Sequence, residues 1–332
     1  MAASSSAAPV APARGKKRAL EFEDSSHASH WLFSHHEVAE ADASHSFSEG
    51  PMMVFKAKLL YTQYLVGLGR RARVRQRALA TAIVYFRRFY YRHSFLDHDP
   101  LLIVPTALWV ASKVEECSLQ AKVLVSHLAH LDMENNYEVH HLLDAEFILI
   151  EALSFELVVY QPYLPLQEYL AQPLLGEMLG GAASDSFKQT AWFLLNDCFR
   201  ACLPPSFAWF SARICPAVAR EHRTGRSTVP PPAWLVAGTD LVMCHPPHTI
   251  ALACIHMAGT LLELPTTKWL RRLEVDSQEV EEVTATLIQM YDYCSRMPDR
   301  ELQQVRRNVT SARDRNAGDL PGTHGNELPC AH

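Results

Sequence analysis

The chain has 332 residues, 48% of them hydrophobic, with 31 basic against 36 acidic side chains and a net charge of −5. That length holds two domains of ordinary size, or one with tails, and the acidic balance argues against a protein whose main task is gripping nucleic acid. Eight cysteines without a CxxC pair, and no apolar run behind a charged start, argue against a zinc ribbon, a disulfide scaffold and a secretory leader.

Residues 1–24 are rich in Ala, Ser and Pro, a composition that cannot build a core and reads as a disordered tail. Within it Arg14, Lys16, Lys17 and Arg18 form a candidate nuclear localisation signal. Residues 25–49 read as a short helix, Ser25 to Ser34, followed by a linker. Met52 to Leu68 has helical apolar spacing and is expected to end at Gly67 and Gly69. Arg71 to Tyr91 is a second helix, whose Ala78, Ala80 and Ala82 permit close approach. From Asp99 to Glu116 runs DPLLIVPTALWVASKVEE. Asp99 suits an N-cap and Pro100 suits a first turn. The following residues are apolar on every side, so other helices must wrap this one. It is too short to span a bilayer, and Pro105 and Lys113 interrupt it. Ala121 to Leu131 and Glu138 to Leu153 complete a five-helix bundle over 50–157, the last again apolar almost all round and so expected to be buried.

Pro162 and Pro165 prevent the next segment from being one helix. A second helical set over 158–298 contains Asp185 to Arg200, His248 to Leu264 and Asp276 to Met297. It reads as a weaker repeat of the first, the ALAC run at 251–254 resembling the small-residue pattern of Arg71 to Tyr91. Residues 201–238 interrupt it with six prolines and aperiodic aromatics. This stretch is long for a loop, and reads as a docking arm or as an insertion without function, including a retained intron. Residues 299–332 turn polar and read as a disordered C-terminal tail. Asn308-Val309-Thr310 is a formal glycosylation sequon that a nuclear or cytosolic chain would not use.

No nucleophile elbow, Walker loop, GxGxxG, HExxH or paired catalytic carboxylate is present, nor a kinase's own VAIK, HRD and DFG set. No carboxylate or thiol falls at ligand spacing around His127/His130 or His140/His141. The expectation is an all-α binding module with no catalytic residue, no metal, no cofactor and no small-molecule ligand. Two charges stand out against apolar helices. Lys113 ends one, and Glu146 is a lone acid in the other. They could pair with each other at the edge of the core, or offer donors and an acceptor to a partner's helix end.

YFRRFY at 85–90, DPLLIVPTALWVASKVEE at 99–116 and DAEFILIEALSFEL at 144–157 resemble helices two, three and five of a cyclin box. The chain is similar, more narrowly, to the cyclin C branch of that family, the cyclins of the Mediator kinase module. SSHASHWLF at 25–33, VVYQPYLPLQEYL at 158–170, Asn196-Asp197, HPPHTIALACIHMA at 245–258 and VDSQEVEEV at 275–283 extend the likeness over about Ser25 to Met297, apart from 201–238. The resemblance implies two consecutive five-helix cyclin boxes and a regulatory subunit that binds and activates a cyclin-dependent kinase in the nucleus, together with large Mediator subunits. It implies no direct contact with nucleic acid or membrane. By the same carry-over Lys113 and Glu146 grip the kinase's regulatory helix, and Val114, Ile150 and Phe155 supply apolar contact. The first helix reads MVFKAKLLYTQYL, without the MRAIL patch of cell-cycle cyclins, and Arg87 stands where those carry an Asp. Two other readings compete: a transcriptional cyclin of the H, K or T type, and a nucleic-acid-binding cyclin-fold protein like transcription factor IIB. The YxPYxPL segment and the SSHxxxWL-like start speak against the first. The second wants a zinc ribbon and basic repeats, which this chain lacks.

Overall fold

The computed structural model describes residues 22–45, 47, 50–128, 137–179, 184–200, 240–273 and 275–318. The basic cluster at 14–18 and the 201–238 segment lie outside them. Among the described residues every regular element is a helix: α1 Ser26–His30, α2 His35–Ala43, α3 Pro51–Arg71, α4 Gln76–Arg92, α5 Pro100–Val114, α6 Ala121–Leu128, α7 Val139–Ala152, α8 Tyr163–Leu170, α9 Pro173–Leu179, α10 Ser184–Arg200, α11 Leu241–Cys244, α12 Pro247–Leu261, α13 Thr266–Leu270, α14 Ser277–Arg296 and α15 Asp299–Gly318.

The first set is built around α5. Asp99 accepts from the Leu101 N–H at 2.9 Å, and Pro100 opens the helix where its missing donor is not needed. All residues from Pro100 to Ser112 are buried, under α3, α4, α6 and α7. The second set repeats this around α12, which Pro247 opens and which packs on α8, α10, α13 and α14. The helix with the ALAC run is therefore the counterpart of α5 and not, as its small residues suggested, of α4. Its close approach has a measurable cause: a Cβ on Gly259 would lie 2.2 Å from Thr266 Oγ1.

A buried cluster of charges joins the two sets. Lys58 of α3 donates to Asp42 and to Asp240, both at 2.6 Å, and Arg87 of α4 donates to Asp240 at 2.9 Å and to Thr62 at 3.0 Å. Burial alone would lower the Lys58 pKa, but Asp240 and Asp42 hold it above the usual range. Burial would likewise raise Asp240, yet Lys58 and Arg87 keep it low. Two cations and two carboxylates thus neutralise one another where neither sign is tolerated alone.

Several expected boundaries are corrected. Residues 299–318 are not a tail but α15, whose Leu302, Val305 and Val309 are buried. These three stand at i, i+3 and i+7, an apolar stripe hidden in a polar average. Two ion pairs fasten α15, Lys56–Glu301 at 2.6 Å and Arg313–Asp99 at 2.7 Å. Phe22, assigned to the N-terminal tail, is buried against His27 and Tyr160. The helix expected to stop at Gly67 and Gly69 runs on to Arg71, with Gly69 inside it at the approach to α4, where a Cβ would meet Leu79 Cδ1 at 2.8 Å. The chain turns instead at Arg73, with φ of 52°. Finally α7 is not wrapped all round. Leu142, Ala145, Leu149 and Ala152 are buried, while the opposite side lies open.

Candidate functional site

The open side of α7 meets the C-terminal end of α5. Lys113 in the last turn of α5 donates to Glu146 Oε1, and its ammonium sits 3.8 Å from the centroid of the Trp109 ring. The Lys113 side chain keeps 38% of its surface and Glu146 keeps 14%. In a partly exposed setting such a pair adds about 0.2–1 kcal/mol to stability, so it is not a major prop of the fold. A carboxylate offers about four acceptor sites and an ammonium three donors, so neither group's hydrogen-bonding capacity is used up by one contact.

Apolar side chains flank this pair. Val114 is exposed, Ile150 is half-buried one turn beyond Glu146, and Phe147 and Phe155 keep 76% and 74% of their surface. Phe147 and Ile150 are neighbours at i, i+3. Leaving a Phe in water forgoes about 1.5–3 kcal/mol. Two such residues beside a charged pair are the composition of a protein-binding surface.

The turn that carries Phe155 is strained and braced. α7 ends with Ser154 and Phe155 both left-handed, at φ 53° and 61°. The Phe155 N–H returns to Ile150 O at 3.0 Å and the Ser154 N–H to Glu151 O at 2.8 Å, a Schellman closure without its usual glycine. Left-handed backbone costs a non-glycine residue about 1–2 kcal/mol, and such strain persists only where surroundings enforce it. Arg92 does so, donating to Ala152 O at 2.8 Å and to Ser154 Oγ at 2.5 Å. Next along, Glu156 accepts from the Trp31 indole N–H and contacts His30 Nδ1, each at 2.6 Å. Trp31 is fully buried, with the Arg88 and Arg92 guanidinium carbons 4.7 and 4.3 Å from its ring centroid. Burial drives Arg88 down to about 9 and, helped by Arg88, drives His27 down to about 3. The N-terminal helix is therefore a clamp behind the α7 turn.

Of the residues singled out from sequence, Lys113 and Glu146 are brought into contact, Val114 adjoins them at the end of α5, and the Phe155–Ile150 hydrogen bond ties the remaining two together. Phe147, Trp109 and Glu156 were not foreseen. The signal for Phe147 was present: α7 has more apolar residues than one stripe can bury. Trp109 reads as plain core, and Glu156 declares its role only through contacts more than a hundred residues distant.

No group of three or more His, Cys, Asp or Glu able to hold a metal occurs among the described residues, and no described helix is long and apolar enough to cross a membrane. The concavity on α10 is lined by Asp185, Lys188, Gln189, Trp192, Phe193 and Asn196, with no Ser, Thr, Cys or His among them to serve as a hydroxyl or thiol nucleophile or as its imidazole base.

Comparison with known proteins agrees with this picture. The family described as "Cyclin, N-terminal domain" matches residues 29–158. The chain is 30% identical over 270 residues to Cyclin-C1-1 of Oryza sativa subsp. japonica, covering 80% of this chain and 86% of that protein. It is 28% identical over 257 residues to Cyclin-C of Rattus norvegicus, covering 74% and 76%. Among solved structures, a chain of the CAK complex from Chaetomium thermophilum bound to ATP-γ-S superposes with a TM-score of 0.60 at 18% identity, over 96% of this chain and 99% of that one. A chain of the yeast RNA Pol II CTD kinase CTDK-1 complex does so with 0.56 at 17%, over 89% and 86%. At these identities the structural likeness speaks for the fold.

Proposed function

The chain belongs to the cyclin family and is similar to cyclin C, so it is a regulatory subunit and not an enzyme; from that premise we propose that it binds and activates a cyclin-dependent kinase of the Mediator-associated type. In this reading it works in the nucleus, in RNA polymerase II transcription, and reaches the large subunits of the Mediator kinase module. The observation that carries the kinase part is the open apolar face of α7 with Lys113 and Glu146 at its centre. The names of the two sequence relatives reported above, both of cyclin C type, favour that branch over an H, K or T type cyclin.

The kinase's regulatory helix would lie on that face. Lys113 would donate to backbone carbonyls and Glu146 would accept from free N–H groups at a helix end. Phe147, Phe155, Val114 and Ile150 would bury apolar surface around them. A cyclin acts here as a wedge, holding the helix inward so that the kinase's own Lys–Glu pair and magnesium site line up. Rigidity is what a wedge needs, and the bracing of the α7 turn by Arg92, Trp31 and Glu156 supplies it. All bond-breaking chemistry stays with the kinase.

The test is purification of the tagged full chain from its own cells, followed by identification of the partners and assay of their kinase activity. A cyclin-dependent kinase together with large Mediator subunits is the expected result. A kinase without Mediator subunits would keep the cyclin role and overturn the Mediator part, and the absence of any kinase would overturn both.

A further inference from the structure

Arginines crowd one corner of this acidic molecule. Arg70 and Arg71 end α3, Arg73 forms the left-handed turn, Arg75 is the N-cap of α4, and Arg77 lies in its first turn. All five side chains are exposed. Arg77 pairs with Glu115 at 2.6 Å, while Arg70, Arg71, Arg73 and Arg75 pair with no carboxylate among the described residues.

Arg70 and Arg71 suit the negative end of α3, but the remaining arginines have no such local reason. Five like charges within eight residues repel one another. Those at the start of α4 stand at the positive end of the helix dipole, where an acid would be favoured; the first turn has no acid and no side-chain cap. The whole chain carries a net charge of −5, so the cluster runs against its own background. Guanidinium groups are suited to bidentate grip of carboxylates. The corner also borders the candidate kinase face, since Arg77 holds Glu115, two residues beyond Lys113.

We propose that this corner docks an Asp/Glu-rich segment of a protein partner. Charge complementarity carries the assignment. A single-stranded nucleic acid would want aromatic platforms for its bases, and residues 70–77 contain none. A membrane surface would want exposed large apolar side chains beside the basic ones, and Val74, the one large apolar residue of the turn, is half-buried. The overall negative field repels a long polyanion, while a short acidic segment meets only the local patch. The assignment does not depend on the kinase reading.

Fluorescence anisotropy of the full chain with a fluorescein-labelled peptide of alternating glutamate and glycine tests it, against a single-stranded oligonucleotide of equal formal charge. The variant is Arg70→Gln/Arg71→Gln/Arg73→Asn/Arg75→Gln, with Arg77 left to hold Glu115. Arg70→Gln/Arg71→Gln alone reads the same effect without touching the turn. The peptide is expected to bind wild type in a salt-sensitive way, and at least about tenfold more weakly to the fourfold variant. Equal affinity for wild type and variants would overturn the proposal. So would tighter binding of the oligonucleotide than of the peptide, which would make the corner a nucleic-acid surface.

Discussion

Replacing Lys58 with Met tests whether the buried charge cluster fastens the two helical sets together. Lys58 is 2% exposed and touches both Asp42 and Asp240 at 2.6 Å. Met fills a similar volume, so the loss is one of charge. Asp240 retains Arg87 at 2.9 Å, but Asp42 loses its ion pair and keeps only the more distant field of Arg87, and its Oδ2 already lacks a hydrogen-bond partner. Removing one member of a buried ion pair costs about 3–5 kcal/mol. At about 2.1 cal/mol/K of unfolding entropy per residue, that lowers the melting temperature of a chain of this size by roughly 4–10 °C. Asp42→Asn should cost less, about 1–3 kcal/mol, because Lys58 keeps Asp240 and the amide still accepts. Burial, against the pull of Lys58, already pushes Asp42 up to about 6. Without the lysine, protonation relieves the stranded carboxyl, so the Lys58→Met deficit should be larger at alkaline than at acidic pH. Thermal melts followed by circular dichroism across that range measure both effects. A Lys58→Met protein that melts with wild type, or no harder hit than Asp42→Asn, would refute the reasoning.

Three other outcomes are expected. Gly259→Ala should destabilise by about 1–3 kcal/mol in urea, since its Cβ would meet Thr266 Oγ1 at 2.2 Å and that threonine is itself buried; an unchanged midpoint would mean that α12 and α13 can part freely. Acid should unfold the protein through its histidines before its carboxylates. Burial and Arg88 depress His27 to about 3, and burial and Lys58 depress His45 to about 4. A depressed folded-state pKa gives stability that is present above about pH 6.5 and lost as pH falls toward those values. His27→Asn and His45→Asn should each flatten the melting-temperature profile in that window, and an unaltered profile would contradict the assignment. Phe147→Ser and Phe155→Ser should leave stability within about 0.5 kcal/mol while weakening kinase binding by about 1–2 kcal/mol each, read by calorimetry.

The helices and their hubs were legible because apolar periodicity, Asp99-Pro100 and Pro247 announce them directly. The ends of the helices were not. Sequence reasoning looks for glycine at a helix end, but Arg73, Glu116, Ser154 and Glu263 all turn the chain at positive φ. In each case the next N–H returns to the helix, as Val74 does to Gly69 O at 2.9 Å and Cys117 to Ser112 O at 2.9 Å. Packing enforces these turns, and two of the glycines, Gly69 and Gly259, sit instead where helices come close. The site was half legible. Lys113 and Glu146 stand out as charges in apolar helices, and their contact follows. The bracing by Trp31, Arg92 and Glu156 rests on long-range contacts that no local pattern records. The Lys58 cluster escaped for the same reason: Asp42, Lys58, Arg87 and Asp240 are ordinary residues until the fold gathers them.

The most direct measurement is the dissociation constant of the partner kinase for wild type and for Lys113→Ala/Glu146→Ala. The pair contributes little to folding, so the variant should keep its helical signal and its melt. Truncating a desolvated, hydrogen-bonded charge contact costs about 2–5 kcal/mol, and the constant should rise roughly thirtyfold to a few thousandfold. A folded variant that binds the kinase as tightly as wild type would show Lys113 and Glu146 to be an edge-of-core ion pair, and would remove the kinase helix from this face.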